Sequence, residues 1–104
     1  MITKEYIINY LKQNKVRIHD QYHVSKIGIF GSFARNDETE SSDIDIILEF
    51  DNNTDDLYLI KKNLKEELQA HFNKPVDICR EKYIKPVFRK QILSQAVYVW
   101  NYLS

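Results

Sequence analysis

The stretch GIFGSFARNDETESSDIDIILEF, residues 28–50, decides the fold of this chain. It contains the end of an apolar strand, a turn at Gly31 and Ser32, a polar loop, and a second apolar strand that begins at Asp43. The chain has only two glycines, and both lie in this stretch. Backbone freedom concentrated in this way is typical of a turn where the main chain approaches a ligand closely.

Carboxylates mark the second strand and one later strand. Asp43 and Asp45 stand two residues apart, so a strand projects both from one face. Two acids at the start of an apolar strand are costly unless a cation neutralises them, and oxygen ligands favour Mg²⁺ or Mn²⁺ over zinc. Asp77 lies in another short apolar strand and reaches the same site if the two strands pair. Three carboxylates can hold two metal ions for in-line phosphoryl chemistry, with Asp77 as the base for the acceptor hydroxyl.

The Gly31-Ser32 turn gives the acidic pair its specificity. The chain has eight Asp, so an Asp-x-Asp pair alone is close to a chance occurrence, but here ten residues separate it from Ser32. The amides after the turn and the Ser32 hydroxyl can bind phosphate oxygens, although Ser32 can equally cap a helix. Arg35 either adds a positive charge there or anchors the acidic loop that follows. Neither a Gly-x-Gly-x-x-Gly nor a Walker A pattern is present, which excludes Rossmann and P-loop sites.

Helices alternate with strands over the rest of the chain. Apolar residues at helical spacing predict a first helix capped by Thr3 and a longer one capped from the Asp-rich segment 51–55. Residues 16–22 favour no single element, and residues 37–42 are expected to form a surface loop. The order predicts an α/β (α+β) fold with a small mixed β-sheet flanked by helices. The predicted helices are 3–14, 32–35, 55–72 and 84–93, and the predicted strands are 24–30, 43–50, 76–79 and 97–103.

Length and composition restrict the classes of function. A chain of 104 residues is expected to form one domain, residues 1–104, so a large acceptor must be held by a partner. The 15 basic and 15 acidic residues cancel, which argues against nucleic acid as the partner. Short apolar runs and a charged N-terminus predict a cytoplasmic protein without a membrane span. The single Cys79 excludes an internal disulfide.

A family resemblance rests on two motifs. GSFAR at residues 31–35, followed by SDID at residues 42–45, resembles the Gly-Ser-x10-Asp-x-Asp signature of the polymerase-β-like nucleotidyltransferase superfamily. Within it, the length and the spacing to Asp77 are similar to those of the minimal nucleotidyltransferases, the MntA-type antitoxins paired with HEPN-domain toxins. Many members have Gly where this chain has Asn36, and Asn tolerates the same left-handed backbone.

The resemblance implies a reaction and a partner. The implied reaction is the transfer of AMP from ATP onto a tyrosine of a HEPN ribonuclease, which silences the toxin. Mg²⁺, with two ions expected, and ATP are the implied cofactor and substrate. The implied catalytic residues and metal ligands are Asp43, Asp45 and Asp77, and the implied nucleotide-binding residues are Gly31, Ser32, Arg35 and Ser42.

Several alternatives remain open at the level of sequence. The chain could silence its partner by binding alone, or modify a small molecule such as an aminoglycoside, and self-association is compatible with either. Asp77 could cap a turn instead of binding metal. The stretch 82–90 mixes cations with aromatic residues, which suits an RNA surface, an acidic partner or a solvated helix face. Tyr98, Trp100 and Tyr102 alternate, as they would in an interface patch or in simple core packing.

Overall fold

A four-stranded mixed sheet organises the protein. The structure is a computed structural model that describes residues 2–102. The spatial order of the strands is β3-β2-β1-β4, with β1 antiparallel to both β2 and β4 and with β3 parallel to β2. The mixed sheet predicted from the sequence is therefore confirmed. The strands are β1 Val24–Phe30, β2 Ile44–Phe50, β3 Val76–Arg80 and β4 Val97–Asn101.

Five α-helices and one 3₁₀ turn accompany the sheet. The Thr3 hydroxyl accepts a hydrogen bond from the Tyr6 amide at 3.1 Å, which confirms the predicted cap of the first helix. The stretch that the sequence left undecided forms the second helix. Over residues 2–102, no helix is long and apolar enough to cross a membrane. The helices are α1 Lys4–Gln13, α2 Lys15–Tyr22, α3 Gly31–Arg35, α4 Leu57–Phe72 and α5 Pro86–Gln95, and the 3₁₀ turn is Glu81–Tyr83.

Two predicted helix starts were wrong, for local reasons. The longer helix begins at Leu57, because Asp56 has a left-handed backbone with φ of 57° and its side chain caps nothing. The segment 51–55 therefore forms the connecting loop without supplying the cap. The last helix begins at Pro86, because a proline suits the first helical position and holds the residue before it in extended conformation.

The main core lies on one face of the sheet, which we call the core face. Its side chains come from all four strands and from the inner sides of α1, α2, α3 and α4. Burying an aliphatic side chain of this size contributes about 1.5–3 kcal/mol, so this layer supplies most of the stability. Fully buried members include Ile7, Leu11, Ile18, Ile27, Ile29, Ile44, Ile46, Leu48, Leu64 and Leu68.

The opposite face, which we call the site face, is packed differently. Strand alternation places Asp45 and Ile47 on it, and Ile47 is fully buried although it lies outside the main core cluster. The 3₁₀ turn packs against β2, and α5 packs against β1 and α3. Apolar packing therefore resumes on this face at Ile47, two residues beyond Asp45.

A β-bulge between β1 and β4 determines where the C-terminal aromatic residues point. Ile27 pairs with Trp100 but Gly28 pairs with Tyr98, so one residue of β4 is left over. Trp100 consequently lies in the core and donates to the Leu11 carbonyl at 3.0 Å, while Tyr98 lies on the site face. The simple alternation expected from the sequence was wrong here, because the bulge reverses the side on which later residues emerge.

Candidate active site

The turn after β1 brings the main chain against Asp45. Phe30 pairs with Asp45 across the two strands, and Gly31 follows with a left-handed φ of 73°. A Cβ atom at Gly31 would collide with the Asp45 carboxylate and lie 3.0 Å from its Cγ. Glycine is thus required at this position both for backbone conformation and for space. The main chain thus lies directly against the central acid of the predicted site, while its approach to a ligand stays a prediction.

The two later strands align the acids at one edge of the sheet. In the parallel register of β2 and β3, Asp45 is paired directly with Asp77. The Ile44 amide donates to the Pro75 carbonyl at 3.0 Å, which starts the pairing one residue before the acids. Asp43 lies just before β2 and is exposed, as is Asp77, whereas Asp45 is half-buried. The structure therefore brings Asp43, Asp45 and Asp77 to the same edge.

The electrostatic environment of Asp45 reflects this crowding. Burial raises the pKa of Asp45, and the neighbouring carboxylates of Asp77 and Asp43 raise it further, while Arg35 lowers it. A divalent cation between the carboxylates would remove this repulsion. The donor set consists only of carboxylate oxygens, which fits Mg²⁺. Over the described ranges, no three acidic, His or Cys side chains converge closely enough to hold a metal ion as they stand.

Ser32 is the second residue of α3. The residue that caps α3 is Phe30, so the alternative role of Ser32 as the N-cap was wrong. Its carbonyl accepts a hydrogen bond from the Asp37 amide at 3.0 Å, whereas its hydroxyl has no partner among residues 2–102. Asn36 ends the helix in the left-handed conformation expected for it, with φ of 63°.

Arg35 and Ser42 have partners within the protein. The Arg35 guanidinium donates to Asp37 at 3.0 Å and to Gln95 at 3.1 Å, so it anchors the acidic loop and also contacts α5. The positive charge of Arg35 still acts on Asp45, because it lowers the pKa of that carboxyl. The Ser42 hydroxyl accepts from the Thr39 amide at 2.9 Å and closes a turn in the loop. Ser42 thus has a local structural role in this arrangement.

A charged network on the site face was not found by sequence reasoning. We call it the Glu81 network. Glu81 accepts from the Tyr98 hydroxyl at 2.8 Å and pairs with Lys26 at 2.7 Å, and the Arg89 guanidinium donates to the Glu81 carbonyl at 2.8 Å. Burial alone would raise the pKa of Glu81, but the hydrogen bonds from Lys26 and Tyr98 lower it overall. Its members come from β1, the 3₁₀ turn, α5 and β4, and no local pattern links them.

The fold and these residues together define a nucleotidyltransferase of the polymerase-β type. The family model described as Polymerase beta, Nucleotidyltransferase matches residues 5–102. The chain belongs to this family.

Relatives and solved structures agree with that assignment. The protein adenylyltransferase MntA of Thermococcus cleftensis is 33% identical over 99 residues, which cover 95% of this chain and 98% of that protein. A structure provisionally described as a minimal nucleotidyltransferase has a TM-score of 0.73 at 25% identity and covers 92% of this chain and 95% of its own. A chain in the complex of the tri-AMPylated Shewanella oneidensis HEPN toxin with MNT antitoxin has a TM-score of 0.61 at 18% identity. That last match covers 90% of this chain and 72% of the other, and it shows a shared fold.

Proposed function

We propose that this chain transfers AMP from ATP to a hydroxyl of a partner protein, a tyrosine of a HEPN-domain toxin, and thereby acts as an antitoxin. The observation that carries the proposal is the contact of the Gly31 turn with Asp45 beside Asp77. This arrangement brings the Gly31-Ser32 turn and the carboxylates into one small region, and we assign phosphate binding to the turn and metal binding to the carboxylates.

The names of similar proteins support this substrate class. The Thermococcus cleftensis relative is named a protein adenylyltransferase, and it matches this chain over almost its whole length. The fold is also shared with a complex that contains an AMPylated HEPN toxin. A hydroxyl of a protein is therefore the acceptor that we assign to this chain.

We assign the roles of the residues from their positions. Asp43, Asp45 and Asp77 would hold Mg²⁺, with two ions expected from the number of carboxylates. Bound there, Mg²⁺ supplies positive charge that offsets the negative charge developing on the phosphates. Gly31 lets the turn lie directly against the Asp45 carboxylate, and the Ser32 hydroxyl is free to donate to the ATP phosphates.

The proposed reaction is one in-line displacement. The acceptor oxygen forms a bond to the α-phosphorus of ATP as the bond between that phosphorus and the bridging oxygen breaks, and pyrophosphate leaves. Asp77 is exposed at the edge of the sheet, where it can accept the proton of the incoming hydroxyl. Arg35 holds the loop 37–42 beside the site and adds its positive charge to the field at Asp45.

Two further assignments belong to the proposal. The described residues form one sheet with its helices, so we assign a single catalytic domain that takes its acceptor from another protein. ATP, Mg²⁺ and a ribonuclease partner meet in the cytoplasm, and we place the protein there. The unpaired Cys79 is compatible with a reducing compartment.

The test is mass spectrometry of the partner protein. The HEPN-domain protein of the same source, identified by its adjoining gene, is incubated with this chain, ATP and Mg²⁺. We expect its tyrosine-containing peptide to gain the mass of one or more AMP groups, and we expect its ribonuclease activity to fall in parallel. Omitting Mg²⁺ or substituting both Asp43→Asn and Asp45→Asn should abolish both changes. Loss of ribonuclease activity without any added mass would show inhibition by binding alone and would overturn the transfer reaction.

A further inference from the structure

We propose that the α5 face, the surface formed by Lys82, Tyr83, Lys85, Val87, Phe88 and Lys90, is the docking surface for the acceptor protein. It fits an apolar patch bordered by Asp and Glu side chains. The inference rests on the proposed function, because it assigns the place where that acceptor binds.

The first observation is exposed apolar area. Tyr83, Val87 and Phe88 are 67%, 79% and 52% exposed. Helix α5 has no buried residue, whereas α1, α2 and α4 each bury two or three. A ten-residue helix is marginal without packing, so further burial against a partner would stabilise it. Apolar groups concentrated on one exposed element are typical of a protein interaction site.

The second observation is uncompensated positive charge. Residues 82–102 contain four cations and no Asp or Glu, and one of the four, Arg89, is paired with Glu81 at 3.7 Å. Within the part of the chain that the structure describes, neither Lys85 nor Lys90 makes an ion pair or hydrogen bond through its side chain. A cationic border around an apolar centre selects a partner of opposite charge and steers its approach.

A second copy of this chain is the rival occupant. Residues 36–56 carry nine acidic residues and no Lys or Arg, so they have the opposite charge to the α5 face. However, that acidic segment includes Asp43 and Asp45, and docking it onto α5 would cover the candidate active site of the second copy. Such a contact would exclude the acceptor, and we therefore assign the face to the acceptor protein.

The third observation is that α5 is fixed relative to the site. At its C-terminal end, Gln95 accepts from Arg35 of α3 at 3.1 Å. At its other end, Arg89 donates to the Glu81 carbonyl at 2.8 Å, and Glu81 is itself held by Lys26 and Tyr98. A protein bound to this helix is thus held at a constant position relative to the Gly31 turn, which is what presentation of one hydroxyl to the α-phosphate requires.

The experiment compares two charge reversals of equal size. Binding of the HEPN-domain protein from the adjoining gene is measured by calorimetry for the full chain, for Lys85→Glu/Lys90→Glu, and for Lys62→Glu/Lys65→Glu on α4. We expect the α5 variant to bind about tenfold more weakly and the α4 variant to bind as the unaltered chain does. Phe88→Ser should also weaken binding, through lost apolar contact. Circular dichroism checks that every variant is folded, which is expected because the substituted side chains are not part of the main core.

The remaining outcomes separate this inference from the proposed function. The assignment of the α5 face as the docking surface would be overturned if all three proteins bound with equal affinity. Equal losses of affinity in both double variants would overturn it too. Sedimentation that shows a dimer dissociated by Lys85→Glu/Lys90→Glu would assign the face to a second copy and would also overturn it. If the α5 variant loses the partner but the unaltered chain never transfers AMP, the docking surface stands and the proposed reaction fails. In the AMP-transfer reaction, we expect Lys85→Glu/Lys90→Glu to have a higher KM for the partner protein and an unchanged KM for ATP.

Discussion

The core face of the sheet stabilises the fold, whereas the site face carries the candidate active site. Adjacent residues of β2 show the difference. Ile46 is fully buried in the core face, where it packs in the main hydrophobic cluster. Asp45, one residue earlier, emerges on the site face beside a second carboxylate, and burial and negative neighbours raise its pKa. Because successive side chains of a strand point to opposite faces, core residues and candidate site residues alternate along β2. The stabilisation from burial on the core face must outweigh the repulsion between carboxylates on the site face.

This contrast explains why the site lies where it does. Asp45 occupies a central strand whose neighbouring residues Ile44 and Ile46 are packed in the core, so core packing fixes the backbone at Asp45. Gly31 connects the two faces, because it follows core strand β1 and contacts the Asp45 carboxylate. Substitutions on the two faces should therefore affect different measurements.

The largest effect is expected from Asp45→Asn on the site face. Removing a carboxylate to which we assign metal binding should lower the rate of AMP transfer about 10³-fold, equivalent to about 4 kcal/mol of transition-state stabilisation. The melting temperature should stay the same or rise, because the substitution removes a charge repelled by Asp43 and Asp77. Initial rates and thermal denaturation on the same preparation check both. A variant that unfolds would place Asp45 among the residues that stabilise the fold.

The next effect is the mirror case, Ile46→Ala on the core face. Truncating a fully buried Ile should lower the free energy of unfolding by about 2–5 kcal/mol, because it leaves a cavity among packed side chains. The AMP transfer rate per folded molecule should remain near that of the unaltered chain. Urea denaturation, with activity normalised to the folded fraction, measures the two quantities. A large loss of activity in the folded fraction would show that the faces are coupled.

Gly31→Ala should affect both faces, and more weakly. The left-handed backbone alone costs a non-glycine residue about 1–2 kcal/mol, and the added Cβ collides with the Asp45 carboxylate. We therefore expect lower stability together with slower transfer. In an Asp45→Ala background, the collision disappears and only the backbone cost should remain, so urea denaturation of the double-mutant cycle should be non-additive. Additive losses would mean that Gly31 does not act through Asp45.

The smallest effect concerns charge at the outer side of the core-face helices. Glu67 on α4 accepts hydrogen bonds from Arg17 at 2.7 Å and from Tyr22 at 2.8 Å. The hydrogen bond from Arg17 lowers the pKa of Glu67, although burial opposes this. Burial, together with the hydrogen bond to Glu67, raises the pKa of Tyr22 to about 12. A lowered carboxyl pKa adds stability that is fully present above the pKa of the unfolded chain and is lost as pH falls through the folded pKa.

Glu67→Gln should therefore cost about 1 kcal/mol at neutral pH and almost nothing in acid. Urea denaturation as a function of pH, with Glu66→Gln on the exposed side of α4 as the matched control, measures this difference. A constant difference between Glu67→Gln and the unaltered chain at all pH values would contradict the assigned pKa shift.

Local patterns predicted most of the fold and the central part of the site. Alternation and apolar runs located all four strands, and the fixed spacing from Ser32 to the acidic pair identified the turn that contacts Asp45. These features are encoded within a few residues of each other, so one sequence is sufficient to see them. The sequence predicted that Asp77 reaches Asp45 if their two strands pair. The parallel register of β2 and β3 confirms that these strands pair and that the two residues are neighbours.

The remaining features depend on contacts between distant segments. Helix α2 was undecided because its polar and apolar residues follow no clear period, and packing of Ile18 in the core decides its conformation. The bulge beside Gly28 is set by the close approach of β4, whose Val97 carbonyl leaves no space for a side chain there. The Glu81 network joins four elements, and no local signal could have located it.

The central claim is that the acids at the edge of the site face transfer the nucleotidyl group of ATP to another protein. The most direct measurement uses ATP labelled at the α-phosphate in one reaction and at the γ-phosphate in another, with the HEPN-domain partner, Mg²⁺, and either the unaltered chain or Asp45→Asn. We expect α-label on the partner with the unaltered chain, no γ-label in any reaction, and no label with the folded variant. Transfer of the γ-label, or equal α-labelling by Asp45→Asn, would contradict the claim.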